Sequence, residues 1–257
     1  MKTTIEQWID TNLNPIGSLP FAEVCKQKLD ETGCLLLPGF LKKEARQQMI
    51  AEAEAQADQV YYAAQTHNAY LTVPDPNLPD AHIFNRQLES TKGCLTTDQI
   101  PQNSGLHALY DSPIFKKFVA HVVGEDAIYP YADPLSGINV HFADEGRGLN
   151  WHFDNSSFAI TLLLQSPEAG GEFEYVRDLR DAAANDMNFE GVEAVIDGHD
   201  PVQSLTVDEG TLVLFRGRNA LHRVTPTVGG KTRLLVVLAY NNEPGVALSE
   251  PARMTFF

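Results

Sequence analysis

A His-x-Asp pair, His152 and Asp154, is the feature of this sequence with the clearest chemical potential. If residues 151–154 are extended, successive side chains point to opposite faces, so His152 and Asp154 share one face and Phe153 lies on the other. One histidine from a second strand would complete a facial set of two imidazoles and one carboxylate, which binds Fe(II) and leaves coordination positions open. The pair alone is weak support, because 8 histidines and 34 acidic residues in 257 positions give about one such pair by chance.

His222 and Arg233 supply the context that the pair lacks. His222 follows the predicted strand 210–215 and a short turn, and Arg233 opens the next apolar run, 233–238. A guanidinium in an apolar strand is costly unless it is paired, so we expect a carboxylate partner, either an Asp or Glu or a bound molecule. Iron enzymes of this type commonly use 2-oxoglutarate, which chelates the metal through its keto acid and leaves a distal carboxylate for an arginine fork.

Composition restricts the function. The net charge of −15 argues against binding to nucleic acid or to anionic membranes, and it suits a neutral or cationic small-molecule substrate. The cysteines have unrelated spacings, which favours reduced thiols over a disulfide framework or a zinc site. The N-terminus lacks the apolar segment of a signal peptide and no run of about 18 apolar residues occurs, so the expected location is the cytoplasm. A homodimer is an expected assembly.

The first half of the chain is predicted to be mainly helical. Apolar spacing predicts a helix over 20–32 that stops at Gly33, and residues 34–37 form a short apolar strand. The composition of 42–65, with no Gly or Pro, predicts one long helix. Residues 66–106 look irregular, which in a compact domain indicates a functional or mobile segment, and a helix is predicted over 113–123.

From about residue 128 the sequence changes to short strands separated by turns. An acidic insertion, 177–201, interrupts them and could hold a helix at 178–184. We therefore predict a mainly β fold, a jelly roll with N-terminal helices packed outside, in a single domain over 1–257. Within it, 1–127 would be mainly helical support and lid, and 128–245 the jelly-roll core. The predicted strands are 138–142, 150–153, 158–165, 172–176, 210–215 and 232–240.

In this order the motifs resemble the Fe(II)/2-oxoglutarate-dependent oxygenases. The resemblance covers roughly residues 138–240, and the stretch Gly33 to Leu41 is similar to the start of that superfamily's domain. It implies a double-stranded β-helix (cupin-like) core, Fe(II) at His152, Asp154 and His222, and Arg233 on the distal carboxylate of 2-oxoglutarate, with O2 as the oxidant. The motifs are His152-x-Asp154, Gly170-Gly171-Glu172-Phe173, Gly210 to Phe215, His222-Arg223-Val224-x-Pro226 and Gly230-x-x-Arg233.

A closer resemblance concerns a bacterial group that acts on free amino acids, notably lysine. It is carried by Trp151 to Ser156, by the turn Ala169 to Tyr175 and by Tyr240-Asn241-x-Glu243-Pro244-Gly245. That group includes radical hydroxylases and radical halogenases, and its halogenases have Gly in place of the carboxylate ligand, which opens a position for chloride. Because this chain has Asp154, the resemblance implies hydroxylation of lysine or a similar cationic amino acid, with release of succinate and CO2.

Several further residues are candidates for substrate or cofactor contacts. Arg86, in the irregular segment, could clamp a substrate carboxylate, and Asn139 or His141 could contact 2-oxoglutarate. Candidate partners for a substrate ammonium are Asp133, Glu145 and Asn155. Each of these residues also has a structural interpretation. The remaining histidines (His67, His82, His107, His121 and His199) have no ligand-like spacing, and Phe256 and Phe257 either cover a pocket or form a frayed end.

Alternative functions remain open at the level of sequence. The same chemistry could act on another amino acid, an amine or a carrier-bound residue. A non-catalytic jelly-roll binding module could keep a metal for structure, although it would often lose one of the four residues. A cupin isomerase or thiol dioxygenase could use the same barrel but would not need Arg233.

Overall fold

The computed structural model describes residues 5–247, and its helices lie mostly in the first half of the chain. Gly33, with φ of 71°, ends the first helix and its N–H donates to the carbonyl of Leu29. Ser112 caps the fourth helix by accepting from the N–H of Phe115, and Pro113 occupies its first turn. The helices are α1 (Leu19–Thr32), α2 (Lys43–Glu54), α3 (Gly105–Asp111), α4 (Pro113–Val123) and α5 (Phe189–Ile196), with short 3₁₀ turns at Ile5–Gln7, Ala57–Gln59 and Thr97–Gln99.

The strands form two facing antiparallel sheets and two short ladders. The strands are β1 (Cys34–Leu37), β2 (Tyr61–His67), β3 (Leu88–Leu95), β4 (Tyr129–Pro130), β5 (Ile138–Ala143), β6 (Leu149–His152), β7 (Ala159–Gln165), β8 (Ala169–Gly170), β9 (Phe173–Val176), β10 (Gln203–Leu205), β11 (Leu212–Phe215), β12 (Leu221–Val224), β13 (Thr227–Val228), β14 (Arg233–Leu238) and β15 (Tyr240–Asn241). The major sheet has the order β1-β11-β7-β14-β5-β3-β2, and the minor sheet β10-β9-β12-β6. β8 pairs with β13, and β4 pairs with β15.

The two faces of the major sheet have different roles. Side chains alternate along β14, where Leu234, Val236 and Leu238 are buried in the helix-packed core and the intervening residues face the other way. α2 and α4 cover the core side, with Met49 and Phe115 completely buried there. The inner face of the major sheet lies opposite the minor sheet, and a cavity occupies the space between the two sheets.

The mainly β jelly-roll fold is confirmed, but three local predictions are wrong. The predicted helix 42–65 ends at Glu54, and Tyr61–His67 is instead strand β2, because pairing with β3 outweighs the helical composition. The irregular 66–106 stretch contains β3 and the start of α3. In the insertion, the helix is Phe189–Ile196 and not 178–184, because Asp178 and Asn185 have positive φ and interrupt the earlier segment.

The first 127 residues therefore do more than provide helices and a lid, because β1, β2 and β3 are strands of the major sheet. The single-domain boundary at 1–257 stays a prediction, and Phe256 and Phe257 lie outside the described residues. Within residues 5–247, no helix has both the length and the apolar character needed to cross a membrane.

Candidate metal centre

The minor sheet brings the three predicted ligands together. His152 ends β6 and pairs directly with His222 of β12, and Asp154 follows two residues after His152. One ligand atom from each residue lies within 4.8 Å of the others. Oδ1 of Asp154 is 3.9 Å from Nε2 of His152 and 3.6 Å from Nε2 of His222. Two nitrogens and one oxygen thus face a common point, as a facial metal site requires.

Backbone carbonyls fix the orientation of both imidazoles. Nδ1 of His152 donates to the carbonyl of Asn150 at 2.7 Å, and Nδ1 of His222 donates to the carbonyl of Ala220 at 2.9 Å. Since a carbonyl only accepts, each Nδ1 carries the proton and each Nε2 offers a lone pair. Both histidines are therefore held in the tautomer that a metal ion needs.

The carboxylate of Asp154 is held in a space that excludes any side chain at position 217. The N–H of Asp154 donates to the carbonyl of Gly217 at 3.1 Å. A Cβ at Gly217 would lie 1.8 Å from Oδ2 of Asp154. Among the described residues, no group donates a hydrogen bond to this buried Oδ2. A buried oxygen without a donor, beside two free Nε2 atoms, fits a site built for a cation.

The charges in the site also suit a metal. Burial, together with the neighbouring His222, lowers the pKa of His152 to about 3, so this imidazole is neutral. Burial opposes the ionised form of Asp154, but the charge and the hydrogen bond of His222, with smaller contributions from nearby groups such as Arg180, together outweigh burial and hold the pKa of Asp154 below its usual value. The same pairing raises the pKa of His222 against the effect of burial. A carboxylate and two imidazoles are thus ready to exchange one proton for a divalent ion.

The three residues open into a cavity of about 230 Å³ between the two sheets. Its wall is largely apolar, with Leu163, Val213, Phe215 and Leu235 among the lining side chains. The polar residues that also line it come mainly from the major sheet. They are Gln65, His67, Ser90, Lys92, His141, Thr161 and Arg233.

Arg233, the predicted carboxylate anchor, lines this cavity at the start of β14. Burial lowers its pKa to about 10, which leaves the guanidinium charged at neutral pH. The part of the chain that the structure describes contains no salt bridge from Arg233 to an Asp or Glu within 4.0 Å. Since a buried cation needs a counter-charge, the arrangement fits the anionic end of a bound small molecule.

A hydrogen-bonded chain supports His152 from behind. Ser90 Oγ accepts from the N–H of Asn150 at 2.8 Å and lies 2.7 Å from Nε2 of His67. Nδ1 of His67 donates to the carbonyl of Asn68 at 3.0 Å, so Nε2 of His67 accepts from the Ser90 hydroxyl. Burial lowers the pKa of His67, which agrees with this neutral form. The chain positions Asn150, whose carbonyl in turn orients His152.

Three of the other predicted contact residues, Arg86, Asp133 and Asn139, are not among those that line the cavity. Arg86 pairs with Asp197 of the insertion at 2.6 Å. Oδ1 of Asp133 accepts from the backbone and hydroxyl of Ser136. Asn139 donates to the carbonyls of Leu135 and Ile138.

Glu145 and Asn155 are exposed, whereas His141, the alternative to Asn139, does line the cavity. The predicted substrate roles of Arg86, Asp133 and Asn155 and the cofactor role of Asn139 therefore stay predictions.

Four residues near the site had no recognisable signal in the sequence. Ser90 and Lys92 lie on β3, inside the stretch that looked irregular, and Gly217 lies in an ordinary turn. The Cζ of Arg180 is 4.1 Å from the ring centre of Phe153, and the positive charge of Arg180 helps to lower the pKa of Asp154. The one sequence pattern that could have indicated two of these residues is the alternation of Ser90 and Lys92 along a strand.

Comparison with known proteins places the fold. Similar solved structures include a 2OG-Fe(II) oxygenase-family oxidoreductase from Burkholderia pseudomallei (14% identity, 88% of this chain and 92% of that chain, TM-score 0.53). The α-ketoglutarate-dependent epimerase SnoN of nogalamycin biosynthesis aligns with 12% identity over 87% of this chain and 84% of that chain, with a TM-score of 0.60. A prolyl hydroxylase from Trichoplax adhaerens aligns with 13% identity over 94% and 95%, with a TM-score of 0.54. No curated protein sequence matches the chain.

Fold and site together place the protein in the Fe(II)/2-oxoglutarate-dependent oxygenase superfamily, and its His-Asp-His site is compatible with iron. Within it, the chain belongs to the Halogenase D family, whose model matches residues 21–250.

Proposed function

We propose that this protein is an Fe(II)/2-oxoglutarate-dependent hydroxylase of a free amino acid, with lysine or a similar cationic amino acid as substrate. The observation that carries the proposal is the carboxylate of Asp154, facing the two Nε2 atoms of the histidine pair at 3.6 and 3.9 Å. Although its family is named for a halogenase, this chain has the carboxylate of Asp154, the third protein ligand that a hydroxylase uses.

The residues of the chain have separate tasks in this proposal. His152, Asp154 and His222 hold the iron, and Arg233 holds the distal carboxylate of 2-oxoglutarate. When bound, iron and 2-oxoglutarate supply the oxidation of an unactivated C–H bond by O2, and the keto acid leaves as succinate and CO2. The apolar wall that includes Leu163 and Phe215 limits water around the reacting carbon.

Hydroxylation is favoured over halogenation because Asp154 occupies the position that chloride would need. Gly217 supports this assignment, since the absence of a side chain there makes room for Oδ2 of Asp154. The expected product therefore contains one additional oxygen atom and no chlorine.

The choice of a cationic amino acid is supported by the resemblance and by the net charge of −15. Long-range attraction by an acidic surface favours the approach of a positive ligand. The proposed substrate partners are Arg86 for the carboxylate, and Asp133 and Asn155 for an ammonium group. A cavity of about 230 Å³ suits small molecules.

The test is a panel of free amino acids with Fe(II), 2-oxoglutarate and ascorbate, in buffer that contains chloride. The expected result is lysine, or a similar cationic amino acid, heavier by one oxygen, with an equivalent of succinate. Arg233→Ala should sharply raise the 2-oxoglutarate concentration required, while Lys117→Met, an exposed change on α4, should not.

The possible outcomes separate the alternatives. A chlorinated product would overturn hydroxylation. Product from another amino acid but none from cationic ones would overturn the substrate and leave the chemistry. A complete lack of succinate with every substrate would favour a binding module, and an unchanged 2-oxoglutarate requirement in Arg233→Ala would overturn the role of that arginine.

A further inference from the structure

Lys92 is a second cation on the cavity wall, on the strand next to β5. It pairs with Ala63 of β2 and lines the cavity. The next residue, Gly93, pairs with Phe142, so continuing the antiparallel register places Lys92 level with Ala143. On the other side of β5, Arg233 pairs with the same Ala143. Opposed residues in antiparallel strands share a face, so both cations project from the inner face.

The spacing allows the two side chains to reach one small group. Neighbouring strands are about 4.8 Å apart, so the Lys92 and Arg233 backbones are separated by roughly 10 Å. Only the methyl group of Ala143 lies between them. An anion held above Ala143 would be within reach of both long side chains, the planar fork from one strand and the ammonium group from the other.

The electrostatics show which end of the cavity Lys92 serves. Burial, then the charges of Lys92 and Arg233, hold the pKa of His141 well below its usual value. His141 pairs with Leu235 and with Cys94, so it lies on the same face of β5, two residues before Ala143. Lys92 and Arg233 thus act on one neutral histidine.

The charges that influence the metal-site residues come from elsewhere. Apart from the three ligand residues themselves, including His222, the groups whose charges act on His152 and Asp154 are His67 and Arg180. Lys92 therefore belongs to the Arg233 end of the cavity. Asp154 is the one carboxylate among the described residues that line the cavity. The wall around Ala143 is positive, and it suits an anion brought in by a ligand.

We propose that Lys92 is a second anchor for the distal carboxylate of 2-oxoglutarate, binding it together with Arg233 across Ala143. This inference rests on the proposed function and extends it to co-substrate selection. Two cations at one end of the cavity favour a 2-oxo acid with a second carboxylate over one with an alkyl end. The main rival, capture of the substrate's carboxylate by Lys92, is an outcome of the test.

The experiment compares two ligands of equal chain length on the zinc-loaded protein, which does not turn over. 2-Oxoglutarate has the distal carboxylate, and 2-oxopentanoate lacks it. Calorimetry should show that Lys92→Met weakens 2-oxoglutarate binding by about 10- to 100-fold, as expected for loss of a hydrogen bond to a charged group. Binding of 2-oxopentanoate should be unchanged or tighter, and Lys92→Arg should restore most of the 2-oxoglutarate affinity.

Two controls make the result specific. Lys117→Met removes an exposed positive charge on α4 and should leave both affinities unchanged. In an Arg233→Met background, Lys92→Met should cost less than it does alone, because both cations act on one carboxylate. Far-ultraviolet circular dichroism and the Tm establish that each variant is folded.

Three results would overturn the proposal. Equal weakening of both 2-oxo acids would indicate a structural role for Lys92. An unchanged 2-oxoglutarate Kd with weaker binding of the amino acid would assign Lys92 to the substrate. If the wild-type zinc form fails to bind 2-oxoglutarate at all, the proposed function fails first, which distinguishes that failure from the failure of Lys92 alone.

Discussion

Gly217 and Asp154 fit together so closely that position 217 has no room for a methyl group: a Cβ there would lie 1.8 Å from Oδ2 of the carboxylate. The backbone N–H of Asp154 is bonded to the carbonyl of Gly217, so the two residues are fixed relative to one another. The glycine is therefore required by the metal ligand, and its requirement can be tested independently of turnover.

Gly217→Ala should displace the carboxylate and weaken binding of Mn(II) or Zn(II) by at least about tenfold, the range typical of residues that support metal ligands. Calorimetric titration of the metal-free protein measures the change. Gly17→Ala is the matched control, because a Cβ at this exposed glycine meets no atom within 4 Å.

The clash also predicts a dependence between the two positions. In an Asp154→Gly background, Gly217→Ala should have little effect on the Tm, because the atoms that it would strike are gone. An equal loss of stability with and without the Asp154 carboxylate would show that position 217 is restricted for another reason.

The hydrogen bonds that link His67, Ser90 and Asn150 to His152 lead to a second prediction. Ser90→Ala removes the acceptor for the Asn150 N–H and the donor to His67, which leaves two partly buried polar groups without their partner. The expected cost is about 1–3 kcal/mol in the free energy of unfolding. Metal affinity should also fall, because Asn150 orients His152.

Urea denaturation and metal titration of Ser90→Ala measure these two effects. Ser204→Ala, at an exposed position of β10, serves as the control and should change neither. A Ser90→Ala variant with lower stability but unchanged metal affinity would contradict the idea that these hydrogen bonds position His152.

The metal-binding half of the site could be predicted from sequence because its signals are local. His152 and Asp154 share a face through simple alternation, and His222 and Arg233 stand at recognisable places beside predicted strands. The supporting residues could not be predicted in this way. Ser90 and Lys92 meet the site only because β3 inserts beside β5, and the composition around β2 favours a helix that tertiary pairing overrides.

Arg86 shows a second kind of limit. Its partner, Asp197, is distant in sequence and belongs to the insertion, so no local pattern indicates their contact. Their ion pair joins the segment before β3 to the end of α5. Tyr70 and Phe84 of the same segment pack with Phe189 of α5.

This contact leads to a prediction that separates a lid role from a substrate clamp. Arg86→Met and Asp197→Asn each break the same ion pair, whose side chains are 39% and 31% exposed, so each should cost no more than about 1 kcal/mol of stability. If Arg86 acts only through the lid, both variants should raise the KM for the amino acid by the same factor. A rise confined to Arg86→Met would instead support direct binding of the substrate carboxylate.

The buried histidine His141 gives the protein a defined response to acid. Burial and the nearby charges of Lys92 and Arg233 hold its pKa well below the ordinary value of about 6.5. As the pH falls below about 6.5, the unfolded chain takes up a proton at this position and the folded protein does not. The free energy of unfolding therefore decreases with acidification, by up to about 1.4 kcal/mol per pH unit for this one group.

His141→Gln, which cannot be protonated in this range, should flatten that slope between pH 6.5 and 5 by up to the same amount. Urea denaturation of the metal-free protein in chelator-containing buffers measures the slope, and His199→Gln, at an exposed position, should leave it unchanged. If wild type and His141→Gln lost stability in parallel, His141 would be protonated in the folded protein. Another group would then have to offset the positive charges of Lys92 and Arg233 beside it.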